Sequence, residues 1–312
     1  MNNKIGVVTV TFNSATVLDD FMTSMLAQSH LNFVLYVVDN ASTDRSLEVL
    51  AAYPDPRVVL IANPENRGVA EGNNQGIDQA LKDGCDDVLL LNNDTRFSSE
   101  LFATMLAAGK RLDADMLVPK MMYHDPEDMI WCAGGRFDAL RACKTVHFGD
   151  RERDSGQFDT AKRISYAPTC CMLIRRSVFD RIGTMDKNYF VYYDDTDFCM
   201  RARERGVSLW YDPDATLYHK VSSLTGGETS DFSVRICTRN KVYFILKHYS
   251  NVAAIFWLVV YQLSFLGRLA TRRDSLITYR KKQRSFRLGL AMFSEVSKGA
   301  DDAIPRLTPN NY

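Results

Sequence analysis

The chain has 312 residues, 46% hydrophobic and 24% charged, with 38 Lys plus Arg against 38 Asp plus Glu. That is a globular composition, with enough apolar residues for one large α/β domain and an appendage or for two small domains, and its balanced charge gives no footing for nucleic-acid binding. The seven cysteines, Cys85, Cys132, Cys143, Cys170, Cys171, Cys199 and Cys237, form no CxxC pair, which argues against a disulfide framework or zinc site and suits a reducing cytosol.

Residues 5–12 (IGVVTVTF) are β-branched and short, a strand. Ser14 is placed to cap a helix whose apolar positions Val17, Leu18, Phe21, Met22 and Met25 recur at helical spacing. Residues 33–38 form a second strand, and Ser42 or Thr43 can cap a helix over 45–52. A third strand covers 57–62, a helix 68–82, a fourth strand 87–91, a helix 98–111 and a short strand 115–118. Strand–helix alternation of this kind predicts a parallel, doubly wound sheet, whose ligands sit beyond the carboxyl ends of the strands. Residues 121–163 are less regular and read as loops and short strands over the active-site side. A strand over 166–174, a helix over 177–182, a helix over 194–205 and a strand over 207–211 follow. Past Ser222 the composition changes: a Gly-containing loop at 225–230, a helix over 231–249, an apolar run at 252–266 and a basic run at 268–287.

Polar clusters that directly follow strands are the candidate site. In VVDNASTD (37–44), Asp39 can accept from the imide N–H of a uracil or thymine ring, or merely brace an Asx turn. In NRGVAEGNNQGID (66–78), glycines recur every fourth residue. They line one helix face and allow close approach to a sheet or a ligand; the pattern matches neither a dinucleotide fingerprint nor a P-loop. In LLLNNDT (89–95), Asn92, Asn93 and Asp94 offer oxygen ligands suited to Mg²⁺ or Mn²⁺, or a plain strand-ending turn. Such a cation would bridge a diphosphate and neutralise its charge as it leaves.

In VYYDDTDFCMRARERG (191–206), Asp194, Asp195 and Asp197 fall within one turn at a helix start, where the dipole favours anions and keeps a carboxylate available as a general base. Asp197 and Arg201 are spaced to pair along that helix. Capping plus a solvated charged face is the other reading. His219, after a strand and a Pro213 turn, can ligate a metal, donate to a phosphate or simply pack. His30, His124, His147 and His248 have no matching context.

Taken in order, VVTVTFNS, VVDNASTD, NRGVAEGNNQGI, LLLNNDT, IGTMDKNYFVYYDDTDFCMRARERG and YHKVSS resemble the family-2 glycosyltransferases of GT-A fold. The nearest branch is that of bacterial rhamnosyltransferases and galactofuranosyltransferases of surface-polysaccharide assembly, including O-antigen. The resemblance covers about residues 5–223. It implies a Rossmann-like three-layer α/β domain with a mostly parallel sheet over 1–223, a nucleotide-binding half over 1–120 and an acceptor half over 121–223. A helical, basic extension then covers 224–312. It also implies roles: Asp39, with Thr11 and Asn13, on base and ribose; Arg67 and Asn74 in the donor pocket; Asn92, Asn93 and Asp94 at the DXD position, with Asp94 the chief metal ligand. Asn92 replaces the first Asp of that motif, which weakens the expected coordination. His219 would complete the metal site, Asp195 would be the catalytic base with Asp194 beside it, and Asp197 and Arg201 would support the helix.

The implied reaction is a single in-line displacement that inverts the sugar, with positioning and leaving-group electrostatics carrying the rate. The implied partners are a nucleotide-sugar donor, dTDP-rhamnose ahead of UDP-galactofuranose, and a glycan or polyprenyl-diphosphate-linked acceptor. Two other readings stand beside this one. A non-catalytic sugar-nucleotide-binding scaffold is compatible with Asn92. A sugar nucleotidyltransferase would carry a Gly-rich basic loop where Thr11–Ser14 stands. The sequence shows no signal-peptide pattern and no run of ~20 apolar residues for a confident membrane span. The apolar 252–266 followed by eight Lys or Arg and one acid, Asp274, in 268–287 suits the anionic cytoplasmic face of a membrane, with burial against the catalytic domain or in a homodimer as the alternative.

Overall fold

The computed structural model describes residues 3–220 and 230–299. The first half follows the expected alternation: β1 (Ile5–Thr11), α1 (Leu18–Leu26), β2 (Phe33–Asp39), α2 (Ser46–Ala51), β3 (Val58–Ala62), α3 (Gly68–Lys82) and β4 (Asp87–Leu91). β5 (Thr95–Phe97), α4 (Leu101–Arg111) and β6 (Met116–Tyr123) come next. Four short strands then follow: β7 (Ile130–Cys132), β8 (Gly135–Asp138), β9 (Lys144–His147) and β10 (Lys162–Ile164). β11 (Cys171–Arg175), α5 (Arg176–Ile182), α6 (Asp194–Glu204) and β12 (Leu209–His219) close the sheet domain, and α7 (Asp231–His248), α8 (Asn251–Ala270) and α9 (Leu276–Ser297) form the extension.

One sheet runs β10-β12-β6-β11-β4-β1-β2-β3, with β5 on β12 and β7 on β6. β1 pairs in parallel with β2 and β4, β2 with β3, and β6 with β12. β11 is inserted antiparallel between β4 and β6, so β4, β6 and β12 share one direction and their carboxyl ends share one rim. The central strands are buried on both faces, as in sheets covered by helices on each side. α3 lies close on β1 because its glycines leave room. A Cβ on Gly76 would stand 2.3 Å from a Val8 methyl, and one on Gly72 would stand 2.9 Å from Val10. At Gly72 and Gly76 the four-residue glycine spacing therefore serves sheet packing.

Several boundaries differ from the sequence reading, each for a local reason. Ser14 does not cap α1, whose N-terminal flanking residue is Val17; its hydroxyl accepts instead from the Phe12 and Asn93 N–H groups. Ser42 is likewise drawn away from α2 by Asp39, and Asp44 accepts from the Ser46 N–H there. The strand expected over 166–174 begins only at Cys171, because the Ser165 and Tyr166 N–H groups bond to Gly135. β6, expected to end at 118, continues to Tyr123, into the segment read as loops and short strands. β12 runs through Pro213 to His219 with a register shift between Asp212 and Thr216, a bulge where proline, which cannot donate to the ladder, is tolerated. His219 thus ends a strand rather than following a turn. The expected 223/224 division and most of the 225–230 loop lie outside the described residues. α7 shares the main core through Tyr243 and Phe244.

Candidate active site

At the donor rim, Thr11 and Asp39 are register partners that end β1 and β2. The Asp39 carboxylate is buried and accepts from the Thr11 hydroxyl (2.9 Å), the Ser42 hydroxyl (2.6 Å) and the Ser42 N–H (3.0 Å). Asn13, at a φ of 52°, accepts from the Thr43 N–H at 2.8 Å and pins the loop after β2. Arg67 directly precedes α3. Its Nε is buried and has no hydrogen-bond partner among the described residues. Asn74 was expected in the donor pocket but is spent elsewhere: its amide donates to the Met185 carbonyl and accepts from the Met185 N–H, both at 2.8 Å.

β4 delivers the NND segment to the same rim. The Asn92 side chain is exposed. Asn93 is buried and donates to the Val10 carbonyl (2.9 Å) and the Ser14 hydroxyl (3.1 Å), tying the end of β4 to the end of β1. β5 pairs Thr95 with His219, which brings Asp94 Oδ1 within 3.1 Å of His219 Nε2. Both side chains are buried, and His219 Nδ1 has no hydrogen-bond partner among the described residues. Burial pushes His219 down, but Cys170 and Asp94 outweigh it and lift the imidazole to about 10. Burial also pushes the Cys170 thiol up to about 11.

Among the described residues no group of three or more His, Cys, Asp or Glu gathers to hold a metal. Asp94 and His219 nevertheless fit a cation that takes few protein ligands and completes its shell with water and substrate phosphates. In such a complex Asp94 Oδ1 and His219 Nε2, 3.1 Å apart, would both turn to the ion, with the imidazole in its neutral form.

A row of rings leads from this pair to the acidic turn. Trp131 stands 4.3 Å from the His219 ring, His147 lies 5.3 Å from Trp131, and Tyr166 stacks 5.7 Å from His147. The Tyr166 hydroxyl, held protonated by burial and by the neighbouring carboxylate, donates to Asp195 Oδ2 at 2.8 Å. Asp195 Oδ1 accepts from the Thr196 N–H at 2.6 Å and the Thr196 hydroxyl at 3.0 Å. The carboxylate is half-buried and fixed in orientation.

The other two acids of this turn meet different surroundings. Asp194 is buried, and burial, reinforced by the charge of Asp195, raises its carboxyl to about 7. Asp197 is also buried, which alone would raise it, but bonds from His248 (2.8 Å), Lys247 (2.7 Å) and Arg201 (2.8 Å) hold it well below the usual range. Arg201 in turn donates to the Ile182 and Thr184 carbonyls. Asp197 and Arg201 therefore pair at the expected spacing, inside the protein rather than on a solvated face.

The loop before α6 is strained. Phe190, Tyr192 and Tyr193 take φ values of 67°, 63° and 69°, which bulky residues rarely adopt. α7 holds it in place: the Asn240 amide donates to the carbonyls of Tyr189 (3.0 Å), Val191 (2.9 Å) and Tyr192 (2.7 Å), and Arg239 donates to Tyr189 (2.8 Å). The Phe190 carbonyl accepts from the Val69 N–H at 2.6 Å and so also anchors the start of α3, where a Cβ on Gly68 would collide with Phe190 at 2.5 Å.

Sequence reasoning missed Trp131, His147, Tyr166, Arg239 and Asn240. Only the last two left a signal, an Arg-Asn pair interrupting the apolar residues Ile236 and Val242–Ile245 of a helix.

Residues 6–183 match the model of the family described as Glycosyl transferase family 2; the match contains Asp39 and Asp94 and ends before Asp194. The chain is 25% identical over 261 residues to the dTDP-rhamnosyl transferase RfbF of Shigella flexneri, covering 83% of this chain and 81% of that protein. It is 26% identical over 251 residues to the N-acetylglucosaminyl-diphospho-decaprenol L-rhamnosyltransferase of Mycobacterium tuberculosis, covering 72% and 79% respectively. Among solved structures, the fold is shared with GalNAc-T7 bound to UDP, GalNAc and Mn²⁺, at a TM-score of 0.64 and 13% identity, over 97% of this chain and 58% of that one.

Proposed function

The chain belongs to glycosyl transferase family 2, and from that premise we propose an inverting, cation-assisted transfer of a sugar from a nucleoside diphosphate to an acceptor hydroxyl, with Asp195 as the base. One observation carries the reading: a row of ring contacts from His219 to Tyr166 joins the Asp94–His219 pair to the Asp195 carboxylate. A leaving-group site and a proton acceptor on opposite sides of one sugar are what a single displacement needs.

On the donor side, Asp39 uses three of its roughly four lone-pair sites internally and keeps one for the imide N–H of a pyrimidine base. Arg67 offers its buried Nε to the diphosphate. Mg²⁺ or Mn²⁺ would be held by Asp94 and His219 and would supply neutralisation of charge at the departing diphosphate. On the acceptor side, Tyr166 and Thr196 fix the Asp195 carboxylate, which removes the hydroxyl proton as that oxygen attacks the anomeric carbon. Asp194, raised to about 7, holds its proton much of the time near neutrality and keeps a second charge off the pair.

The two rhamnosyltransferase relatives favour dTDP-rhamnose as donor, ahead of UDP-galactofuranose. The acceptor named for the mycobacterial one favours a lipid-linked diphosphate, within bacterial polysaccharide synthesis. The chain would then work at the cytoplasmic face of a membrane, touching it through residues 252–287. The test is Asp195→Asn. The variant should bind nucleotide sugar with unchanged affinity in a calorimeter and lose turnover. Acceptor modification at the wild-type rate would instead favour the scaffold reading or another base.

A further inference from the structure

α8 is long and apolar enough to cross a membrane by length and composition, with 20 residues and a mean hydropathy of 1.7. One side of it is already taken: Ala254, Trp257, Leu258, Tyr261 and Phe265 pack on α7 and α9. The other side carries Val252, Ile255, Phe256, Val259 and Leu263, each more than half exposed and recurring at helical spacing. A helix with protein on one side and an apolar face on the other suits lying in an interface rather than spanning it.

α7 and α9 frame a groove of about 300 Å³ lined by Arg235, Arg280, Lys281 and Arg284, with Ile277 and Leu288 beside them. The local acids are already used: Asp274 closes on Arg268 and Lys282, and Asp231 on Lys281. Arg280 and Arg284 form no ion pair with any described residue. Guanidinium forks left without carboxylates match phosphate oxygens in geometry and charge. The apolar lining favours a phosphate that carries a hydrocarbon chain over a free anion. The groove also begins near the site, since Arg235 lies one helical turn, about 6 Å along the axis, before Arg239, which holds the loop leading to Asp195.

We propose that this groove binds the diphosphate of a lipid-linked acceptor, with the lipid chain passing over Ile277 and Leu288 toward the exposed face of α8. The choice of a lipid-linked acceptor rests on the transferase reading above. The groove thereby sets the depth at which the acceptor's first sugar is presented to the Asp195 side of the cleft.

The probe is farnesyl diphosphate, titrated calorimetrically into the full-length protein below its micellar concentration. The wild type should bind it, and the double variant Arg280→Ala, Arg284→Ala should bind at least tenfold more weakly with an unchanged Tm. Arg284→Lys alone should recover part of the loss, as a point charge replaces a fork. Transfer to a water-soluble acceptor without a diphosphate should be the same in wild type and double variant. Equal binding of the probe by wild type and double variant would overturn the proposal. So would displacement of the probe by phosphatidylglycerol vesicles at matched lipid phosphate, which would make the groove a sensor of bilayer charge. Probe binding reports on the groove and donor turnover on the transferase, so the two can fail separately.

Discussion

The strand-end rim and the start of α6 both hold acids of the proposed site, yet the fold treats them in opposite ways. At the rim, Asp39 ends β2 and Asp94 sits in the turn between β4 and β5, and each is held by a neighbour that the sheet register brings to it: Thr11 for Asp39, and His219 by way of β5 for Asp94. At α6, three acids share a single turn and separate by burial and partner. Asp197 is ionised inside a cationic cage, Asp194 is pushed toward its neutral form, and Asp195 is left half-exposed and oriented. Position in the chain finds such a cluster, whereas only the packing sorts its members.

The sharpest test of that sorting is to treat the three acids alike. Asp195→Asn should reduce kcat by about 10³-fold or more, on the order of 4 kcal/mol of barrier, with Tm close to wild type. Asp197→Asn should do the reverse. It strands Arg201, Lys247 and His248 around a neutral amide, and breaking a buried ion pair from one side costs about 3 kcal/mol. Urea denaturation should show the loss as a lower midpoint. A stable Asp197→Asn protein with abolished turnover would exchange the roles assigned to the two residues.

A smaller effect is expected one layer out. Asn240→Ala removes three hydrogen bonds from a loop held at positive φ and should reduce kcat by about 10- to 30-fold, roughly 1.4–2 kcal/mol, by letting the start of α6 relax. KM for the donor should stay near wild type, because Asp39 is held by Thr11 and Ser42 and Asp94 faces His219, none of them on the loop that Asn240 braces. Asn240→Asp, whose ionised carboxylate donates no hydrogen bond to these carbonyls, should fall at least as far as Ala. A uniform loss in KM and kcat would assign Asn240 to general stability.

These expectations follow the line between what the sequence discloses and what it hides. Periodicity located β4 and α3 to the residue, because their neighbours in the sheet impose an unbroken apolar run and a four-residue glycine spacing. It failed where a distant group outbids a local one: Ser42 and Ser14 look like caps but are claimed by Asp39 and Asn93. The strand read over 207–211 stops short of the full β12 because a bulge is invisible in composition. The same limit governs the site. Asp39, Asp94, Asp195 and His219 announce themselves beside strands or at a helix start, whereas Tyr166 and His147 become relevant only when the β8–β9 hairpin folds back toward α6.

The gentlest perturbation is Asp194→Asn, and it separates the two buried acids by sign. In the unfolded chain Asp194 titrates near the ordinary 3.8, and in the fold near about 7. Between those values the native state keeps the proton and the unfolded state has lost it, so this residue makes stability fall as pH rises from about 4 to about 7 and adds no slope above. Removing the charge should therefore raise Tm at pH 8, with the two proteins converging near pH 4. Asp197 runs the other way: its carboxyl is held low, so the stability it contributes is complete above the unfolded value of 3.8 and is lost as pH falls below it. Tm profiles of Asp194→Asn and Asp197→Asn against pH should accordingly approach wild type together in acid and lie on opposite sides of it at pH 8. Parallel profiles would mean that burial does not distinguish the two acids.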